Sequence, residues 1–414
     1  MLLACAQLPV GGCRKPSPPP PRPFTIAFAP SHAPDGSPAL QKALADWNAA
    51  HAATPAVVEI LPAELGAPTP AARAALLHGD GAAAALVPNE WLGPLTADEA
   101  LRPLPDALAA RIRLDCLPAL ADSVGARGKI VAAPYEADPW LLWLRRDSAA
   151  AKGVVPDGRR WNLTRFEILA HAGGIGRRGF AFPTHGREAA AAFLPWYFSR
   201  GGALVDATGL LTFDIDAADG ALSQLVLARD RPTRAKAAPS DADEAPDCLV
   251  DGRCAMALAT WARRAAIRQA GPLAAEVAAL PIPGPGAQPG VTLIEGWSFV
   301  VFRGAAPAAF DLLAALWSAA LQRDKLHESG SAPVFRELLG DSWFATDPDG
   351  PALRLALTNG VGLPLHPALP AALAVITEMV AAVCRDKAPP WQAAGQAAAR
   401  IAAAGAGRPA ARAP

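Results

Sequence analysis

Two hydrophobic periods take turns along the chain. FTIAFAP (residues 24–30) is a short β-branched and aromatic run, and after a polar, proline-bearing loop PALQKALADWNAAHA (38–52) repeats its apolar positions at helical spacing. VVEILP (57–62) predicts the next strand, AARAALLHGD (71–80) the next helix and AAALVP (83–88) a third strand. That succession opens an α/β domain. GKIVAAPYEADPWLLWLRRD (128–147) predicts two adjacent strands with a bend between Pro134 and Pro139, while AAEVAAL (274–280), PAAFDLLAALWSAALQRDKL (307–326) and PALPAALAVITEMVAAVCRDK (367–387) predict helices. Residues 230–247 predict a polar surface loop, and no internal repeat is present. VTLIEGWSFVVF (291–302) predicts a buried strand, interrupted by Glu295, Gly296 and Trp297. Glycine within a strand marks a close approach of backbone or ligand, and tryptophan beside it offers a flat apolar face.

Composition narrows the class. A chain of 414 residues, 52% of them hydrophobic, has room for two domains with a core each. Lys plus Arg and Asp plus Glu both number 38, so no net field recruits nucleic acid or an acidic surface, and a small uncharged or zwitterionic ligand fits better. Alanine, proline and arginine are abundant and lysine and tyrosine scarce, the coding bias of a GC-rich genome, which weakens any helix assignment that rests on alanine. No stretch after the first two dozen residues has the ~18 uninterrupted apolar residues of a membrane span.

Familiar chemical motifs are absent or out of place. Gly174-Ile175-Gly176-Arg177-Arg178-Gly179 spells GxGxxG, but NLTRFEILAHA before it is helical and GFAFPT after it is a strand. That order is the reverse of a dinucleotide site, so the glycines end a helix. GxSxG and the phosphate loop are missing. Asn162-Leu163-Thr164 begins a helix against which Trp161 packs. Cys116, Cys248, Cys254 and Cys384 form no CxxC, and the seven histidines show no metal spacing, so neither a metal nor a cofactor is expected. Cys248 and Cys254 are open to pairing in an oxidising compartment, or to remaining buried thiols.

The N-terminal segment reads differently. Leu2-Leu3-Ala4-Cys5 and Val10-Gly11-Gly12-Cys13 both resemble a bacterial lipoprotein box. Cys13 is the preferred lipidation site, because Arg14–Pro23 then forms an extended proline-rich tether.

Six blocks, in order, carry a family resemblance over nearly all of the chain after residue 24. They are LLHGDGAAAALVPNEWLGPLTADEALRPLPDAL (76–108), PYEADPWLLWLRRD (134–147), VPDGRRWNLTRFEILA (155–170), WYFSRGGALVDATGLLTFD (196–214), CLVDGRCAMALATW (248–261) and ALPIPGPGAQPGVTLIEGWSFVVF (279–302). The sequence resembles the bacterial extracellular solute-binding proteins of ABC importers, of the maltose, trehalose and multiple-sugar type. It departs from the pattern at Leu144, Thr260 and Glu295, which bear on which sugar is bound. The resemblance implies an α/β, two-lobed, periplasmic-binding-protein-like fold of class II, with hinge strands joining the lobes and a cleft that closes on the ligand. It implies a tether over 1–23, a first lobe of 24–134 plus 285–330, and a second of 135–284 plus 331–414. It further implies no catalytic step, a monomer at the periplasmic or outer cell surface, a carbohydrate ligand, and a membrane permease as partner.

Carbohydrates offer apolar C–H faces to aromatic rings and hydroxyl rims to carboxylates and amides. Trp297, Trp261 and Trp91 are therefore the stacking candidates, with Trp140 and Trp196 behind them. Glu136 and Asp138, two apart and so on one face of a strand, are the hydroxyl acceptors. Asn89, Glu295, Gly296, His32 and Asp35 complete the expected site, whereas Trp47, Trp317 and Trp343 are assigned to packing. In the bland reading Glu136 is a hinge ion pair with a nearby arginine and Asp138 a turn cap before Pro139. A glycan-acting enzyme is disfavoured, since carboxylates two apart on one strand do not flank a bond from opposite sides. A phosphosugar such as glycerol phosphate, served by Arg145, Arg263 and Arg264, or a polyamine, needing several convergent carboxylates, are the alternative ligands.

Overall fold

The computed structural model describes residues 23–61, 82–126, 128–147, 161–171, 178–230, 244–270, 275–285 and 289–406. Cys13 and its tether, the predicted helix at 71–80 and Gly174–Arg177 lie outside them. β1 (Phe24–Phe28), β2 (Ala56–Ile60) and β3 (Ala82–Pro88) run parallel, with β1 in the middle. β3 is mostly alanine yet is a strand: it lies between β1 and β10 (Leu293–Val301), buried along nearly its whole length, and small side chains suit a strand covered on both faces. Helices α1 (Pro38–Ala50), α2 (Leu92–Ala97), α3 (Asp106–Asp115) and α4 (Pro118–Ser123) belong to the same half of the chain. Ser37 caps α1 by accepting from the Leu40 amide, and α1 buries Leu40, Leu44 and Trp47.

A short hairpin, β4 (Gly125–Ala126) and β5 (Lys129–Ile130), leads into β6 (Ala132–Arg145). β6 is one continuous strand of 14 residues, not the two strands expected. Its first half pairs with β10 up to Pro139, and from Trp140 onward it pairs with β8 (Cys254–Thr260) and β9 (Val277–Leu280). β7 (Arg178–Ala181) extends the sheet beside β8, and β11 (Val361–Gly362) joins β10. Around this part of the sheet lie α5 (Leu163–His171), α6 (Arg187–Phe198), α7 (Ile215–Asp230), α8 (Glu244–Val250) and α9 (Arg264–Gln269). The chain then adds α10 (Ala308–Leu316), α11 (Ala319–Ser329), α12 (Trp343–Thr346), α13 (Gly350–Asn359), α14 (Leu369–Cys384) and α15 (Pro390–Gly405). Phe166, Phe180, Trp196, Tyr197 and the apolar faces of α6, α7, α14 and α15 form one core. A second runs from the β1–β3 sheet to Trp143 and Trp261.

Three other expectations change. AAEVAAL holds strand β9 because hydrogen bonding to β6 outweighs the helix preference of its alanines. Residues 307–326 break into two helices at Trp317, whose buried ring packs on Phe335, and Ser318 caps the second helix through the Leu321 amide. The loop expected over 230–247 is already helical from Glu244, and residues 231–243 lie outside the described residues. The four described cysteines are buried thiols; the Cys254 thiol hydrogen-bonds with Cys248, and burial pushes its pKa well up. Among the described residues no helix is long and apolar enough to cross a membrane, and no group of three or more His, Cys, Asp or Glu is placed to hold a metal ion.

Candidate functional site

In open α/β sheets the loops at the carboxyl ends of parallel strands face the ligand crevice. Here the turn Pro30–His32 follows β1 and the turn Asn89–Trp91 follows β3. Beside them β6 and β10 pair so that Trp297 stands opposite Glu136 and Glu295 opposite Asp138. Side chains alternate along strands, so these four share one face with Trp140, which stands opposite Thr260 of β8. The interrupting residues of β10 therefore point Glu295 and Trp297 to that face.

The face is densely charged. His32 stacks on Trp297, ring centroids 3.8 Å apart, with its Nε2 3.6 Å from Glu136. Lys325 of α11, buried, places Nζ 3.9 Å from Glu136 and 3.8 Å above the Tyr135 ring centre; burial lowers its pKa against the opposing pull of Glu136. Asp138 accepts from the Ala262 amide at 2.8 Å. Burial, with the neighbouring carboxylates of Glu295 and Glu136, outweighs that hydrogen bond and raises Asp138 to about 7. Glu295 accepts from the Trp140 indole at 2.7 Å and from Arg187 at 2.9 Å. Arg187, the first residue of α6, also donates from Nε to both oxygens of Glu90 at 2.9 Å. Glu90 is buried, and desolvation raises its pKa although Arg187 pulls it down; Glu295 and Glu90 raise that of Arg187. Asp138, Trp140, Thr260, Arg263, Glu295 and Arg187 line a chamber of about 240 Å³.

Not every expected residue reaches this face. Trp91 and Trp196 are wholly buried, and Trp261 is buried with its indole donating to the Gly330 carbonyl and its ring against Trp143 and Trp343. None of the three offers a ring face to a ligand in this conformation, because protein already covers it. Asn89 is buried, accepting from Ser298 at 2.6 Å and donating toward Ser123. Gly296 faces the reverse side, where a Cβ would lie 2.5 Å from the Glu136 carbonyl and 3.2 Å from the Asn89 amide; the close approach is to protein. Arg145 is buried and pairs with Asp147, and Arg264 pairs with Asp347 and Asp349, so of the three arginines singled out only Arg263 lines the chamber. Asp138 does not cap a turn; it sits within β6. Glu136 belongs to an ion-pair cluster whose cations are His32 and Lys325, where an arginine was expected. Asp35 is exposed in the turn after His32.

Glu90, Arg187 and Lys325 were missed. Glu90 lies one residue from two that were singled out, in Asn89-Glu90-Trp91, and an acid at a strand's carboxyl end was a usable signal. Arg187 and Lys325 sit in helices with no local pattern to mark them.

Comparison with known proteins places this architecture. The chain superposes on MalE from the phytopathogen Xanthomonas citri with a TM-score of 0.75 at 18% identity, covering 92% of this chain and 97% of that one. On the GacH receptor of Streptomyces glaucescens the TM-score is 0.73 at 19% identity over 93% and 99%. On the cyclic α-maltosyl-1,6-maltose binding protein from Arthrobacter globiformis it is 0.74 at 16% identity over 93% and 99%. No curated protein matches the sequence. The family model described as bacterial extracellular solute-binding protein matches residues 42–352, about three quarters of the chain. With one mixed sheet running from β2 through β10 and the long strand β6 to β7, and a charged, tryptophan-bearing face where β6 and β10 pair, the chain belongs to the family of bacterial extracellular solute-binding proteins.

Proposed function

We propose that the protein captures a neutral carbohydrate between its lobes and delivers it to a membrane permease of an ABC importer, with no chemical step. The observation that carries this is the shared face of β6 and β10, which presents Trp297 opposite Glu136 and, one pair further along, Asp138 opposite Glu295, with the Asp138 carboxylate lining the chamber where it can meet a hydroxyl. The similar structures bear sugar names: MalE of X. citri is a sugar-binding protein, and the GacH receptor was solved with acarbose. Ligand contacts to both lobes would favour the closed form, a population shift that the permease reads. The division we propose is 24–134 plus 285–330 against 135–284 plus 331–414, with β6 leaving its β10 partner for β8 a few residues past the boundary, at Pro139–Trp140. Residues 332–338 also pack on the first lobe, since the Leu117 amide donates to the Val334 carbonyl. A monomer, tethered by lipid at Cys13 on the outer face of the membrane, completes the reading.

The alternative ligands fit less well. Arg187 and Arg263 face the chamber, but so do Asp138, Glu188 and Glu295, which would repel a phosphate. A polyamine would need uncommitted carboxylates, and Glu90, Glu136 and Glu295 already have cationic partners.

The test is a thermal-shift screen of the chain from Phe24 onward against neutral mono- and oligosaccharides, sugar phosphates and polyamines, since binding to the folded state alone raises Tm. A neutral sugar is the expected hit, recovered uncleaved, and Trp297→Ala should weaken its binding by ~1–3 kcal/mol in titration calorimetry. A hit confined to sugar phosphates or polyamines, or a cleaved sugar, would overturn the proposal.

A further inference from the structure

Two adjoining chambers open among the described residues. Beside the chamber that holds Asp138 lies a second, of about 330 Å³, walled by Glu90, Gly186 and the Pro370, Leu373 and Thr377 side of α14. Arg187 lines both chambers.

Its side chain is held as a bar. Nε donates to both Glu90 oxygens, and Nη2 lies 2.9 Å from Glu90 Oε2 and 2.9 Å from Glu295 Oε1. Glu295 is fixed in turn by the Trp140 indole on its other oxygen. Swinging Arg187 aside would leave the Glu90 carboxylate buried without its partner, a costly state. A ligand long enough to occupy both chambers must pay that cost, whereas one confined to the first chamber does not. At about 240 Å³ that chamber is smaller than the ~300–1,000 Å³ typical of sites for drug-sized ligands, which suits a single sugar ring.

We propose that Arg187 is the residue that sets ligand length, restricting the protein to a monosaccharide by closing the passage from the Asp138 chamber to the α14 chamber. The inference rests on the carbohydrate reading above and adds to it a size limit that the neighbours' names do not carry.

The experiment is native mass spectrometry of the full chain incubated with a mixed pool of neutral pentoses, hexoses and oligosaccharides of two to four rings, in which the mass of the bound ligand reports its length whatever its identity. The wild type should carry one-ring masses only. Arg187→Ala, and Arg187→Ala with Glu90→Gln to remove the isolated buried charge, should take up two-ring or longer ligands, with at least a tenfold rise in the ratio of long to single-ring complexes. The double variant keeps the test intact if the single one folds poorly. A wild type that carries longer sugars, or variants whose ratio does not move, would overturn the inference while leaving carbohydrate capture standing. No sugar mass on any of the three proteins would remove both.

Discussion

Asp138 shows how position sets chemistry for a single residue. Its cross-strand neighbour is Glu295 and its next neighbour on the same face is Glu136, so burial and two carboxylates together hold its pKa near 7. An ordinary aspartate titrates near 3.9. Between those values the folded protein keeps a proton that the unfolded chain has released, so this residue's contribution to stability is present at low pH and is lost as pH rises through about 7. Asp138→Asn keeps the shape and the acceptor for the Ala262 amide without the charge. In urea denaturation the variant should be more stable than the wild type at pH 8, by a margin that shrinks steadily toward pH 5.5. A margin that does not change with pH would show that Asp138 does not titrate in this way. Near neutral pH the same group is divided between a hydroxyl donor and an anionic acceptor.

Among the elements, β10 answers why a buried strand is interrupted. Alternation turns Glu295 and Trp297 to the cleft and Gly296 to the reverse side, where the Glu136 carbonyl leaves no room for a Cβ and the Asn89 amide crowds it further. Gly296→Ala forces β6 and β10 apart and should destabilise the fold by ~1–3 kcal/mol, the usual cost of overpacking, read as a lower Tm in a thermal melt. A wild-type Tm would show that the strands can separate at little cost. The same element contrasts Trp297 with Trp261: both lie in motif blocks, but only Trp297 stands on the cleft face, its ring against His32.

For the molecule as a whole, Arg187 matters as a link between lobes. Glu90 follows β3, Arg187 opens α6, and in the division proposed above their ion pair ties one lobe to the other without passing through β6. Ligand-free Arg187→Ala should therefore be more open than the ligand-free wild type, with a larger radius of gyration in small-angle X-ray scattering. Equal radii would show that the crossing strands alone fix the lobe angle.

The sequence by itself determined the alternating strand and helix order, the absence of the motifs for nucleotide binding and nucleophilic hydrolysis, and the family through six ordered blocks. Those are local properties: hydrophobic period, turn residues and short motifs are written in neighbouring positions. It also placed Glu136 and Asp138 on one face, because the strand period needs no tertiary contact. Only the tertiary structure decided which tryptophans are core and which face the cleft, since exposure depends on what packs from elsewhere; Trp91, Trp196 and Trp261 are covered by segments remote in the chain. It alone made AAEVAAL a strand, through pairing with β6, and brought Arg187 to Glu90 and Glu295, residues about a hundred positions away on either side. An ion pair of that kind leaves no periodic trace, because its energy depends on distance in space and not on spacing in sequence.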